Sequence, residues 1–477
     1  MRQLDHFVRM RSIVHVLGPA FLAGAFFLGC SDSASDVRAG DPPGGDPVTP
    51  TPDAGTPDAT DTTITVNVTR LGQPAKDVVV VFNDADGTIL ETVKTDANGQ
   101  AVSSGAVPAQ ASLLLGGGGL TRIVTYTALV AGDVIHHSDD NLTSDAGVGT
   151  YELTFPEHTD ATTFATAVGG CRTTWTKGEG MRTNLTLYPA CVQASNTVIG
   201  TAFDNDGVAI GFSFLEGNAV PGEGNTTSIE MGAWQQPGTL NLTIAGLPDA
   251  QTAHIDPLAV FGEQAGRTSY RFRVEGSSPR DLTIPTVSGA GAHQLLLTLS
   301  PMSDSYPAHF ETIVSRVAAT TRETSIDVGA VAKPVSEIKL DTFDARRVKL
   351  TLSGSPSEAE AKGLTALVYF SDDRGLHAWE FVMPPGTSSV VAPTLPESGA
   401  EGWLPLPGTD DESTDAPTYA VDSVQSSIFA DYRAFVRELG RMTTSTPAEG
   451  SRWHSAVLPT DGTLSFTSTY QATGTAD

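Results

Sequence analysis

The residues of this chain best suited to chemistry are three cysteines, ten histidines and several paired aspartates in short turns. His136-His137 stands just before Asp139-Asp140, a donor set that a transition metal could use. Neighbouring residues in a strand point to opposite faces, so two consecutive histidines seldom serve one ion, and the cluster reads as a solvated loop. Asp84/Asp86, Asp96/Asn98 and Asp204/Asp206 place oxygen ligands two residues apart, as calcium loops do. None leads to a downstream glutamate at EF-hand spacing, and such turns also arise because Asp and Asn bond their own backbone. They are read as turns. The sequence has no G-x-S-x-G, H-E-x-x-H, phosphate-binding loop or dinucleotide-binding glycine motif. Gly116 to Gly119 is followed by neither lysine nor helix, so a flexible loop is expected. Ser336-Glu337-Ile338-Lys339 matches S-x-x-K, but it alternates like a strand and lacks the partner motifs of that chemistry. Trp175, Trp234, Trp379, Trp403 and Trp453 could stack on sugars, although an aromatic core is the commoner use. No catalytic residue, metal site or cofactor is expected.

Cys30 stands apart from these. It follows Phe27-Leu28-Gly29 at the end of an apolar run from Ile13, with Arg2, Arg9 and Arg11 upstream. The run is too short, and too quickly followed by polar sequence, for a transmembrane helix. This N-terminus resembles the signal sequence and lipobox of bacterial lipoproteins. The resemblance implies removal of residues 1–29, diacylation of the Cys30 thiol and anchorage in the cell envelope. Ser31, in place of the aspartate that retains enteric lipoproteins at the inner membrane, implies the outer membrane. Ala23-Gly24-Ala25 offers an ordinary secretory cleavage site as the alternative. Export leaves Cys171 and Cys191 as a pair, and an oxidising compartment favours their disulfide over two buried thiols that never meet. Closing that loop would stabilise by about 3 kcal/mol.

The whole chain carries a formal charge of −27, and residues 1–29 hold three Arg and one Asp, which leaves −29 on the remainder. Such a surface repels phosphate backbones and anionic headgroups, so nucleic acid is excluded as a partner and the membrane is reached only through the anchor. Residues 30–61 are dominated by Pro, Gly, Asp and Thr and contain no aromatic residue. They cannot bury enough apolar surface to offset ordering, and read as a disordered tether.

The elements that must position everything else are strands. Ile64, Val66 and Val68 alternate onto one face, and Val78 to Phe82 is apolar throughout, as in a strand buried on both sides. Asp84-Ala85-Asp86-Gly87 and Asp96-Ala97-Asn98-Gly99 turn the chain. Gly72-Gln73-Pro74, Val78 to Phe82, Thr95-Asp96-Ala97-Asn98-Gly99-Gln100-Ala101 and Val107-Pro108-Ala109 together resemble a carboxypeptidase regulatory-like (Ig-like, transthyretin-like) domain. That resemblance implies a small β-sandwich of the spacer, adhesion or display kind and no peptidase.

Further strands are expected at Val124 to Val130, Tyr151 to Phe155, Val198 to Phe203, Val208 to Phe214, Leu240 to Ile244, Tyr270 to Val274, Leu295 to Leu299, Val348 to Leu352, Leu367 to Phe370 and Ala378 to Val382. One helix is expected near 424–439, closed by Gly440, with a strand over Ser427 to Val436 as the competing reading. The fold class is mainly β. A sandwich over 62–150 is followed by β-rich domains at 151–325 and 326–477. The expected function is a lipid-anchored envelope protein with a non-catalytic structural, adhesion or ligand-binding role toward an envelope protein or carbohydrate. The alternative is an extracytoplasmic hydrolase whose site is assembled from residues far apart in sequence.

Overall fold

The computed structural model describes residues 62–472, except 71–72, 118–119, 139–146, 170, 189–190, 193–195, 250, 263, 269–271, 276–278, 302–308, 332, 345–346, 373–374, 397–416, 443–457 and 459–460. Cys30, the expected signal over 1–29 and the tether over 30–61 lie outside the described residues, as do Asp139-Asp140, Trp403 and Trp453.

The fold is mainly β, built as sheets packed face to face. One sheet of thirteen strands organises the rest. From one edge its order is Gln264–Arg267, Gln251–Phe261, Ala292–Pro301, His309–Ala318, Thr463–Ala472 and Thr418–Ser426. It continues through Gly363–Asp372, Gly375–Met383, Leu120–Tyr126, Gln110–Gly117 and Val79–Asn83 to Ile89–Lys94, and Phe272–Glu275 also pairs with Gln251–Phe261. Strands this apolar need cover on both faces, and smaller sheets supply it. Thr65–Arg70, Gln73–Pro74, Gln100–Val102 and Val134–Ser138 form the first cover, which buries Ile64, Val66 and Val68 against Val80, Phe82 and Leu113. On the opposite face, Glu337–Asp344, Arg347–Ser353 and Ser389–Val391 cover Val81, Leu114, Trp379 and Phe381. Farther along that second face, Gly238–Ala245, Arg280–Thr286 and Glu323–Asp327 cover Ile255, Leu297 and Ile313. Each fully buried Val, Leu or Phe contributes about 1.5–3 kcal/mol.

A separate sandwich pairs the sheet of Thr163–Val168, Cys171–Thr176, Asn196–Phe203 and Ala209–Asn218 with the sheet of Gly149–Thr154, Arg182–Leu187 and Thr226–Glu230. Its outer face, through Ile199, Phe203 and Phe212, packs on Ala259 and Phe261 of the long sheet.

The structure differs from several of these expectations. The boundaries near 150 and 325 do not separate independent sheets: Leu120–Tyr126 lies parallel to Gly375–Met383, and His309–Ala318 lies antiparallel to Thr463–Ala472. The helix is Tyr432–Met442 rather than 424–439, and it runs through Gly440. Val424 belongs to the strand Thr418–Ser426, where it pairs with Gly363 on one side and Phe466 on the other. The helix starts at a cap: Asp431 Oδ1 accepts from the Ala434 amide at 2.9 Å. Gly116 and Gly117, expected in a loop, close the strand Gln110–Gly117, and the strand expected through Val130 ends at Tyr126.

Candidate functional site

A cluster of buried titratable side chains lies where the first cover meets the long sheet. In Leu120–Tyr126, alternation sends Arg122, Val124 and Tyr126 toward the cover, and Ile123 and Thr125 to the opposite face. Glu380 shares the Arg122 face because its neighbours Trp379 and Phe381 fill the opposite core. Arg122 Nη2 pairs with Glu380 Oε2, and neither side chain is more than 6 % exposed. From the cover strand Val134–Ser138, His137 Nδ1 lies 2.9 Å from the Tyr126 hydroxyl. His137 Nε2 has no hydrogen-bond partner among the described residues.

Electrostatics follow from burial. His137 is pushed down to about 3 from 6.5, by desolvation first and the Arg122 charge second. Desolvation and Glu380 push the Tyr126 hydroxyl up, against Arg122, so it stays protonated. Tyr432, also raised by burial, donates to Thr127 O at 2.8 Å and Val382 O at 3.0 Å, which ties the helix to the ends of both central strands. A neutral imidazole, a phenol and a guanidinium–carboxylate pair are the materials of proton transfer. Here they face one another rather than solvent, the arrangement of a network that fixes how two sheets dock.

A second feature is an open cleft of about 150 Å³ on the opposite face, lined by Ile313, Ser315, Ser325, Ile326, Asp327, Val331, Thr463 and Ser465. It sits where the cover strand Glu323–Asp327 meets the long sheet.

The sequence-derived sites fall as follows. Cys171 and Cys191 are brought together, with Cα atoms 5.4 Å apart and their sulfurs bonded. The leading aspartate of each pair spends an oxygen on its own turn. Asp84 Oδ1 accepts from Thr88 N at 2.9 Å, Asp96 Oδ1 from Asn98 N at 2.8 Å, and Asp204 Oδ1 from Val208 N at 2.8 Å. Gly87, Gly99 and Gly207 supply the positive φ that follows. His136 and His137 lie in a strand, not the solvated loop expected, and their side chains part as the pleat requires. Among the described residues no group of three or more His, Cys, Asp or Glu could hold a metal. Ser336 precedes the strand Glu337–Asp344, which carries Lys339.

Trp379 is buried, with its Nε1 donating to Thr125 Oγ1 at 3.0 Å. Trp175 and Trp234 pack with Phe155 and Phe164 inside the separate sandwich, with centroids 5.2–5.8 Å apart. Sequence motifs alone do not single out Arg122, Tyr126 or Glu380. For Arg122 and Glu380 the visible signal is a charge set among apolar residues, beside Ile123-Val124 and between Trp379 and Phe381.

No protein-family model and no curated protein matches this chain. Among solved structures it is similar to the Bacillus anthracis TIE protein at 9% identity and a TM-score of 0.16, over 56% of this chain and 49% of that one. A calcium-stabilised adhesin with which an Antarctic bacterium binds ice is 11% identical over 77% of this chain and 95% of that one, with a TM-score of 0.13. The FN1–FN3 domains of chicken CNTN1 are 9% identical over 58% of this chain and 92% of that one, also with a TM-score of 0.13. Likeness at this level assigns neither function nor partner.

Proposed function

We propose that this protein is a lipid-anchored component of a bacterial cell envelope that displays a rigid β scaffold for a non-catalytic structural, adhesion or ligand-binding role. The observation that carries the reading is Gly29-Cys30 between a basic, apolar leader and a Pro/Gly/Asp-rich tether. A thiol at that place is where a diacyl anchor attaches, and two chains give stable anchoring where one is marginal. The tether's reach, about 30 Å if flexible, would hold the sheets clear of the bilayer. The carboxypeptidase regulatory-like reading of the first module, the outer-membrane address and an envelope protein or carbohydrate as partner belong to the same proposal.

Supporting it, the Cys171–Cys191 crosslink suits an oxidising compartment. No helix among the described residues is long and apolar enough to cross a membrane.

Intact-mass analysis of native protein should give a mature start at Cys30 carrying diacylglycerol, and non-reducing peptide maps should hold Cys171 to Cys191. An unlipidated start elsewhere overturns the anchor. Screens for esterase, glycosidase and peptidase turnover, with and without calcium and zinc, should give background alone. Turnover abolished by one substitution replaces this reading with the hydrolase.

A further inference from the structure

We propose that the cleft beside Thr463 and Ser465 binds one neutral saccharide unit of a carbohydrate, an inference that rests on the ligand-binding role above and names its ligand class. Two covers share one face of the long sheet, and the strip between them is polar. Cross-strand partners Glu311, Thr467 and Ser423 form one row there, and Ile313, Ser465 and Gln425 the next. Strand interiors seldom spend so many hydroxyls on a buried face without a use for them.

Part of that use is structural. The segment linking the two covers crosses the strip, where Ser423 Oγ donates to Lys333 O and Thr469 Oγ1 to Val335 O. At the other end of the strip the hydroxyls change role. Ser315, Ser325 and Thr463 all line the cleft, and their hydroxyls make no hydrogen bond to any described residue. Asp327 stands with them, its carboxylate oriented because Oδ1 accepts from Gly329 N at 2.9 Å. Between these groups lie the apolar surfaces of Ile313, Ile326 and Val331.

A pyranose needs that combination, because its hydroxyls project from the ring edge while C–H groups occupy its faces. The cleft's volume of about 150 Å³ suits one ring, and it is well below the roughly 300–1,000 Å³ of pockets for larger ligands. The carboxylate and the acidic surface disfavour an anionic sugar.

The test is saturation-transfer NMR and calorimetric titration of the full chain with glucose, galactose, mannose and N-acetylglucosamine. Saturable binding of at least one sugar is expected. The Ser315→Ala/Thr463→Val variant should bind it about tenfold more weakly, the worth of two lost hydrogen bonds. Asp327→Asn keeps an oxygen for the Gly329 amide and should also weaken binding. Ser325→Ile, on an exposed position of an edge strand, narrows the cleft without entering the core and serves if the double variant fails to fold. Melting curves matching wild type certify each variant. No saturable signal from any of the four sugars, or unchanged affinity in the folded variants, overturns the site. That failure leaves the anchored scaffold standing, because mass analysis and turnover screens test it separately.

Discussion

Arg122 and Glu380 leave water at the junction of two sheets, and their mutual contact helps offset the hydration lost. Removing one partner takes the ion pair from a charge that stays buried. Glu380→Ala is expected to destabilise by about 3–5 kcal/mol, read as a lower urea midpoint. A midpoint indistinguishable from wild type would mean that the pair is solvated. His137 beside them gives a pH signature. Its folded value of about 3 lies below the ordinary 6.5, so the unfolded chain takes up the proton first as pH falls. The contribution is complete above pH 6.5 and is lost as pH drops from 6.5 toward 3, by up to about 1.4 kcal/mol per unit. Asp133 and Glu311, both raised by burial, act in the opposite sense: the folded chain protonates them first and gains stability as pH falls. Both are common to wild type and His137→Gln, so the difference between the two acid limbs isolates the imidazole. Limbs that stay parallel across that window would place His137 in contact with water.

At the scale of single elements, the helix shows what sequence patterning can and cannot reveal. The 3.6-residue spacing of Tyr432, Phe435, Val436 and Leu439 is real and was legible, and these side chains belong to or pack against the first core. Val424, Ile428 and Phe429 fit the same period, which places the expected start eight residues before Tyr432. A buried strand followed by a turn offers apolar residues that mimic the helical spacing. The physical boundary is Asp431, whose carboxylate caps the first turn. Phe435 then settles over Gly363, where any Cβ would collide with its ring. That contact pins the helix to the strand Gly363–Asp372 while its other side lies along Val134–Ser138. It thereby screens a strand at the margin of the first cover from edge pairing. Phe435→Ala should cost about 3–5 kcal/mol, and Gly363→Ala about 1–3 kcal/mol through overpacking. In Gly363→Ala/Phe435→Leu the smaller side chain should relieve part of the clash, so the two costs add to less than their sum. Strict additivity in denaturant titrations would show that the ring does not rest on Gly363.

At the scale of the whole molecule, local strands were legible and their partners were not. Ile64, Val66, Val68 and the run through Phe82 announced their burial by alternation or continuity. The strand Thr463–Ala472 announced nothing, because Thr463, Ser465, Thr467 and Thr469 face a polar strip, yet it lies near the middle of the long sheet. Pairing between Leu120–Tyr126 and Gly375–Met383 joins residues some 250 positions apart, which no short window encodes. The consequence is cooperative. A fragment of residues 62–325 would lose Gly375–Met383 from beside Leu120–Tyr126 and Thr463–Ala472 from beside His309–Ala318. Two interior strands would become bare edges, and Val124, Val314 and Leu296 would lose the helix and the strands that complete their core. That fragment should aggregate or unfold without a sharp transition and be cleaved quickly by protease, whereas residues 62–477 should melt cooperatively and resist. Residues 147–235 make the internal control, because that sandwich holds its own core and the Cys171–Cys191 crosslink. In native-state hydrogen exchange its inner strands should keep protection under mild denaturant when strands across the long sheet have begun to open. A soluble 62–325 fragment with a single steep unfolding transition would restore the boundary near 325 and show that the long sheet is two sheets abutting rather than one.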